Sequence, residues 1–531
     1  MFGKKSPIAI LLVIVMAMSL LVCGCSKAKT PAEHLYAVHE KALNDSELMD
    51  DAVAVYEQML TSITKSSGAS DVRIALNVSE ELTSMAESLV TQYGVAFDLS
   101  WLHNIVLEFD AVVSTQQYAL DLGLGLNDSA VLNGGFQMNM ETGEVYAGVP
   151  QINSQWIGAN LNELYGEDVT GIFGGSLAQS TAMAAALAED LPESAAIETM
   201  TKEFVLLALG KITQVESLEE TLTVGGMEQK YTALKATVSQ QELVDMAVAV
   251  LEKAQTDATM KAIVQACCNY SNGFIQMDEE LNGYSSMVPV TVDDFYAEIS
   301  AMLEDVKATE IDPEAYVYLY TYVDKKDEIR GYAVEDPETQ EKYSAVTVWD
   351  GDKFVSEAVL PEGVIVTGTG TEVNDAVTGT FDVVIEDVKR FSLELENMKT
   401  AEGKVSGTVT LIPGEPVKEL ILNLVDGAAF APLLKSAEFG LELVLAEGEA
   451  SLNVLLNDSM LFGMDLSAEI KDAAQVEAPT NVVFVNAEDD LYTWMSGMSF
   501  GQVYENLSAA GVPAEYVAQL QQIIYMSLGL A

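Results

Sequence analysis

Positive charge is scarce in this sequence. Its 26 lysines and arginines stand against 81 aspartates and glutamates, a formal net charge of −55 over 531 residues. Phosphate binding needs clustered lysine and arginine, so nucleic acid is excluded as a partner. The same balance disfavours a flat embrace of anionic lipid. A field of this sign attracts cations or basic protein partners; a solvated acidic surface is its plainer reading. Hydrophobic residues still make up 49% of the chain, so the acidity is not a signature of disorder.

Cysteine and histidine are also scarce, at four and three. Cys267 and Cys268 are neighbours in "KAIVQACCNYSNG", and a bridge between adjacent cysteines distorts the peptide joining them. They read as small apolar packing residues near the end of a helix, and there is no disulfide framework. His34 and His39 are five apart, so they do not share a helix face as metal ligands would. No phosphate-cradling G-x-x-x-x-G-K-[ST] is present. "GTGTEV" (368–373) lacks the third glycine of a dinucleotide fingerprint.

Gly497-Met498-Ser499-Phe500-Gly501 has the letters of a hydrolase elbow. That mechanism needs a strand-to-helix turn and a later histidine, whereas His34, His39 and His103 all precede Ser499. Ser499 reads instead as a cap for a helix starting near Gly501. Acidic pairs such as Asp50-Asp51, Asp293-Asp294 and Asp489-Asp490, with Asp350 and Asp352, arise by chance among so many acids. No EF-hand pattern accompanies them. Trp101, Trp156, Trp349 and Trp494 suit a sugar or lipid site, but anchoring a core is the commoner use of such residues. No catalytic residue, metal or cofactor is assigned, and the chain reads as non-enzymatic.

Long apolar runs are rare too, and the first one carries information. Lys4 and Lys5 precede Ile8–Val22, a run shorter than the roughly twenty residues of a membrane helix and of the length found in secretory signals. It ends in "LLVCGCSK" (20–27). Val22-Cys23-Gly24-Cys25 resembles the lipobox of bacterial lipoproteins, with small Gly24 directly before Cys25 and branched Val22 badly placed before Cys23. By that resemblance Cys25 receives a diacylglycerol and becomes the mature N-terminus, while Cys23 leaves with the signal. The product is anchored by lipid to the outer face of the cell membrane. An ordinary signal peptide and an uncleaved anchor are the alternatives. A metal or redox Cys-x-Cys lacks a nearby partner.

The remaining chain divides by periodicity. Residues 1–24 are the signal, 25–32 a polar tether, 33–285 an N-terminal α+β lobe, and 286–531 a β-rich lobe ending in helices. Helices are expected at 33–43 and 47–65, joined at "LNDSE". In "QYALDLGLGLNDS" Tyr118, Leu120, Leu122, Leu124 and Leu126 alternate with small or polar residues, as do Phe136, Met138 and Met140 in "FQMNMETGEVYAGV". Such alternation marks an antiparallel sheet with one wet face. Ser239 and Glu242, like Thr291 and Asp294, have capping-box spacing. Phe439, Leu441, Leu443 and Leu445, then Leu452, Val454 and Leu456, then Phe462, Met464 and Leu466 alternate again. "LNDS" at 126–129 and 456–459 suggests two lobes built alike. The fold class is therefore α+β, two lobes, each a curved, half-barrel-like antiparallel sheet with packed helices.

A helix-led curved sheet on a lipid tether resembles half-barrel envelope lipoproteins and lipoprotein carriers. "GEVYAGVPQINSQWIGANL" and "NAEDDLYTWM…AAGVPAEY" further resemble large uncharacterised envelope lipoproteins of Gram-positive bacteria. The resemblance implies one functional residue, Cys25. It also implies a non-enzymatic envelope protein that binds an apolar, peptide or glycan ligand, or else a structural module holding partners at the envelope. Cys25→Ala is expected to abolish palmitate labelling and leave the precursor uncleaved in its host, while Cys23→Ala changes neither. Normal labelling of the Cys25 variant would contradict the lipobox reading.

Overall fold

The computed structural model describes residues 30–64, 68–92, 98–114, 116–165, 169–424, 437–472, 475–485 and 488–527. The signal segment and Cys25 lie outside these residues. The protein is mixed α+β, 37% helical and 41% strand, and its strands belong to one large open sheet.

The chain opens with α1 (Pro31–Asn44) and α2 (Glu47–Thr64), then β1 (Gly68–Val78), α3 (Glu80–Gln92) and β2 (Asn104–Val113). β3 (Gln117–Leu126), β4 (Ser129–Asn139), β5 (Glu144–Gly148) and β6 (Trp156–Asn160) form a meander. Helices α4 (Leu161–Tyr165), α5 (Val169–Asp190) and α6 (Ser194–Leu209) follow, the last two divided at Pro192. The hairpin β7 (Val215–Val224) and β8 (Met227–Ser239) leads into α7 (Gln240–Thr256), α8 (Ala258–Asn282) and α9 (Val292–Lys307). Next come β9 (Tyr316–Val323), β10 (Ile329–Glu335), β11 (Lys342–Asp350), β12 (Lys353–Leu360) and β13 (Val364–Val373). β14 (Ala376–Ile385), β15 (Val388–Ala401), β16 (Lys404–Pro413) and α10 (Glu415–Leu424) extend the series. The last elements are β17 (Phe439–Ala446), β18 (Glu449–Leu456), β19 (Ser459–Lys471), β20 (Val482–Phe484), α11 (Glu488–Ser496), α12 (Gly501–Ala509) and α13 (Ala514–Ser527).

Capping boxes open α7 at Ser239 and Glu242 and α9 at Thr291 and Asp294, as their spacing predicts. The cysteine pair departs from expectation. Cys267 and Cys268 lie in the middle of α8, because the helix continues through Asn272 and Gly273 and ends only at Gly283, whose φ is 75°. Cys268 is buried and Cys267 exposed, so the packing role belongs to Cys268 alone.

Two compact units are interleaved along the sequence. The described residues within Met1–Ile63, Ala186–Gly407 and Gly414–Val417 make the first; those within Thr64–Ala185, Thr408–Pro413 and Lys418–Ala531 make the second. The division expected at 285/286 falls inside the first unit, between α8 and α9. Strand pairing bridges that point: β8 runs antiparallel to β9 from Thr232 opposite Val323 to Ser239 opposite Tyr316.

In the first unit the strands pair in sequence order from β7 to β15, all antiparallel. One face of β8 to β10 in this run is covered by helices. Leu35, Val38 and Leu43 of α1 and Met246 of α7 pack on Leu234, Ala236, Val238, Val323 and Ile329. On the other face β7 to β12 curl until they nearly meet. Gly225, in the β7–β8 turn with φ of 53°, lies so close to β12 that a Cβ there would stand 2.6 Å from Val355 Cγ1. The enclosed space is filled by Val224, Tyr231, Ala233, Tyr320, Tyr322, Ala333, Val346, Val348 and Val355. The "GTG" of 368–370 has a packing role in β13: a Cβ at Gly368 would stand 2.3 Å from the Phe381 ring and one at Gly370 would stand 2.7 Å from that of Phe354.

In the second unit β17, β18, β19, β1, β2, β3, β4, β5 and β6 pair in that order, antiparallel throughout. β20 adds to β6 in parallel. Both strand-linking copies of "LNDS" lie in this unit, so they do not relate one unit to the other. Each is a two-residue turn with positive φ at both centres, 50° and 61° at Asn127 and Asp128, 51° and 63° at Asn457 and Asp458, the geometry that matches the twist of a hairpin. Each asparagine side chain also accepts from a backbone amide two strands back, that of His103 at 2.8 Å and that of Glu438 at 3.0 Å. The repeat therefore relates β2–β4 to β17–β19.

The β8–β9 pairing gives a test. The loop after α8 exposes Tyr284 by 73% and Met287 by 52%, so chymotrypsin should nick there first. The two fragments should co-elute in native size exclusion and part only in denaturant. Separation under native conditions would contradict the pairing.

Candidate functional site

Residues directly opposite in an antiparallel pair share a face, so the register sorts every side chain of the second unit. Ile74 of β1 stands opposite Leu466 of β19 and Leu107 of β2. Leu107 stands opposite Leu124 of β3, and Leu124 opposite Leu132 of β4. The next row joins Val72, Phe109 and Leu122 with Ala468. Leu452 of β18 and Leu443 of β17 continue the row of Leu76 and Met464. The result is one aliphatic face crossing seven strands, from β17 to β4.

This face is open. Of its side chains only Met138 is buried, at 8%, while Leu122, Phe136, Leu441, Val454, Met464 and Leu466 are exposed by 36 to 44%. At about 4.8 Å between strands and 3.3 Å per residue the face measures roughly 700 Å². Sequence alternation places Phe136, Met138, Met140 and the leucines on one face of an antiparallel sheet. Phe136, Met138 and the leucines do share a face, but it is a surface rather than an enclosure, and Met140 lies beyond the end of β4.

The opposite face is polar, yet it holds the sheet's well-buried residues, Ala75 at 2%, Val106 at 4% and Ala119 at 3%. A cavity of about 190 Å³ opens on it, lined by Arg73, Glu108, Asp128, Ser129 and Asn133 over a floor that includes Val106 and Gly125. The Arg73 guanidinium stands 3.8 Å from Glu108 and 4.0 Å from Asp128. One row away, Glu469, Asp71, Asp110 and Asp121 stand opposite one another on four adjacent strands. Lys471 pairs with Asp71 and Glu469. Burial, then the charges of Asp71, Asp121 and Glu108, holds the Asp110 carboxyl above the usual aspartate range, and burial does the same to Asp121.

The loop before β6 and the helices α11 and α12 meet beside this sheet. Asn153 Nδ2 donates to the Trp494 carbonyl at 2.8 Å and Trp494 Nε1 to that of Gln155 at 2.8 Å. The Ser499 amide donates to the Ile152 carbonyl at 2.7 Å, and its hydroxyl accepts from the Gly501 amide at 3.4 Å. Ser499 thus belongs to a joint between the loop before β6 and α12. His34 and His39 are engaged elsewhere. His34 bonds to Asp327 at 2.9 Å and His39 to the Leu35 carbonyl at 2.8 Å, both within the first unit. Among the described residues no group of three or more His, Cys, Asp or Glu is arranged to hold a metal. No helix among them is long and apolar enough to cross a membrane.

Sequence periodicity identified the alternating faces of β3, β4 and β17 to β19 but divided them between two lobes, whereas β1 joins them in one unit. It missed β1 and β2, whose "DVRIALNV" and "NIVLEFDAVV" carry the same alternation in a less regular form. No protein-family model, no curated protein and no solved structure matches this chain.

The aspartate row makes stability depend on pH. A carboxyl whose pKa is raised by folding favours the fold when protonated, and that contribution is lost as pH rises through the folded-state pKa. Asp110→Asn should therefore raise the melting temperature at pH 7, by the roughly 0.2–1 kcal/mol scale of cross-strand charge pairs. The gain should shrink below pH 4. An equal gain at pH 3 and pH 7 would contradict the repulsion.

Proposed function

We propose that this protein is a non-enzymatic lipoprotein of the cell envelope, anchored through Cys25 to the outer face of the membrane, that holds an apolar ligand on the aliphatic face of its second unit. The two units are its two lobes, each half-barrel-like. One observation carries the reading: a charge-free face of seven strands whose side chains, Met138 apart, are half-buried or exposed. Side chains of this kind gain about 1.5–3 kcal/mol each on full burial, so a bound apolar molecule has a large driving force there. The lipobox resemblance supports the location, and the acidic surface supports residence in an aqueous compartment rather than flat on anionic lipid.

The alternative, a structural module that holds protein partners, draws its support from the first unit. Its curled strands enclose Tyr231, Tyr320 and Tyr322 among packed aliphatic residues, so that hollow has no room for a ligand.

The mature chain with Cys25→Ser should enhance the fluorescence of N-phenyl-1-naphthylamine. Adding Leu122→Glu and Leu466→Glu, at side chains already 44% and 39% exposed, should weaken binding by at least about tenfold with little change in melting temperature. Undiminished binding by that variant would place the ligand elsewhere. No enhancement by the unsubstituted chain would favour the partner-holding module.

A further inference from the structure

We propose that the open edge of β7 accepts an extended basic peptide as an additional strand. This site is separate from the aliphatic face and does not depend on it. β7 ends the first unit's run, and among the described residues it pairs with β8 alone. The Thr237 amide donates to the Gln214 carbonyl at 2.9 Å, which makes these two a hydrogen-bonded pair. In the alternation of an antiparallel ladder, the outward N–H and C=O groups then fall on Val215, Ser217, Glu219 and Thr221. Such an edge is a template for a further strand.

The two halves of β7 differ. Its C-terminal end is closed, since Val224 packs in one cluster with Val355 and the following turn abuts Val355 at Gly225. Its N-terminal half is free: Glu216, Ser217, Leu218 and Glu219 are all exposed, an uninterrupted run on both faces of the strand. Val215 to Glu219 has the length of a typical short strand, about five residues.

Charge selects the occupant. Alternation puts Glu216 on one face of the sheet and Glu219 on the other, so an incoming strand meets a carboxylate on either side. Lys235 stands opposite Glu216 in the ladder, but its ammonium sits 3.4 Å from the centre of the Tyr318 ring. Lys342 lies 3.8 Å from Glu220, beyond the open half. Glu216 and Glu219 would repel the same edge of a second, equally acidic copy of this chain. They suit a peptide with lysine or arginine on both faces, and exposed Leu218 offers an apolar contact between them.

The probe is an end-blocked, fluorescein-labelled Lys-Lys-Val-Lys-Lys-Val, titrated against the mature chain carrying Cys25→Ser and followed by polarisation. Binding is expected, weakening with added salt. N-methylation of alternate peptide nitrogens in the register that faces β7 should abolish it, and methylation in the other register should leave it within about twofold. Glu216→Lys with Glu219→Lys, shown folded by circular dichroism, should lose at least about tenfold for this peptide and gain binding to Glu-Glu-Val-Glu-Glu-Val. Three results would each overturn the proposal: no binding by the unsubstituted edge, equal tolerance of both methylation registers, or unchanged preference for the basic peptide after charge reversal.

Discussion

Register between antiparallel strands is the constraint on which the rest of this structure depends. Side chains alternate with a period of two, so a slip of one residue would send a whole strand's apolar set to the wrong face. In the second unit the register holds across seven strands, keeping Leu466, Ile74, Leu107, Leu124 and Leu132 in one row. Two devices secure it at one end. Asn127-Asp128 and Asn457-Asp458 form tight turns, and a register shift sits just before each, at Leu124/Gly125 and at Val454/Leu455. The asparagine side chains then tie each turn to the start of a strand two places away.

The same alternation has different consequences in the two units. In the first, β7 to β12 curl tightly enough for Tyr320 and Tyr322 to fill the interior, their rings 6.1 Å apart and 14° from parallel. The other face carries α1, α6 and α7 over β8 to β10, so both sides of those three strands are packed. In the second, the small residues Ala75 and Ala119 are buried on the polar side, and the leucines remain partly exposed on the other. Close packing is the ordinary condition of a protein interior. An aliphatic face left without it is where binding energy remains available.

Few cations serve this acidic chain, and several are committed inside the first unit. Lys235 lies over Tyr318, and Lys342 lies over Tyr320 while its ammonium donates to the Tyr322 hydroxyl at 2.9 Å. Arg330 joins Asp324 and Glu328 and lies 5.7 Å from the Trp349 ring centre. These contacts leave carboxylates crowded together with few cations among them, as at Glu216 and Glu219 of β7 and at Asp110 and Asp121, where Lys471 reaches only Asp71 and Glu469. There, repulsion is tolerated because the ladder fixes the backbone beneath it.

Sequence by itself determined the elements governed by neighbours along the chain. The capping boxes at Ser239 and Thr291, the helix break at Pro192 and the alternating faces of β3, β4 and β17 to β19 all follow from local sterics and hydrogen bonding. The long-range pairings were decided only in three dimensions. Nothing in "DVRIALNV" says that it lies between β2 and a strand nearly four hundred residues later, and nothing near 285 says that β8 pairs across it. The tetrapeptide Leu-Asn-Asp-Ser shows the limit most directly. At 43–46 it ends α1 with Asp45 as the C-cap, and the Ser46 hydroxyl accepts the Met49 amide. At 126–129 and 456–459 it turns a hairpin, with both central residues at positive φ. Asparagine and aspartate allow either backbone, so the flanking helix or strand pair, not the four residues, selects the conformation.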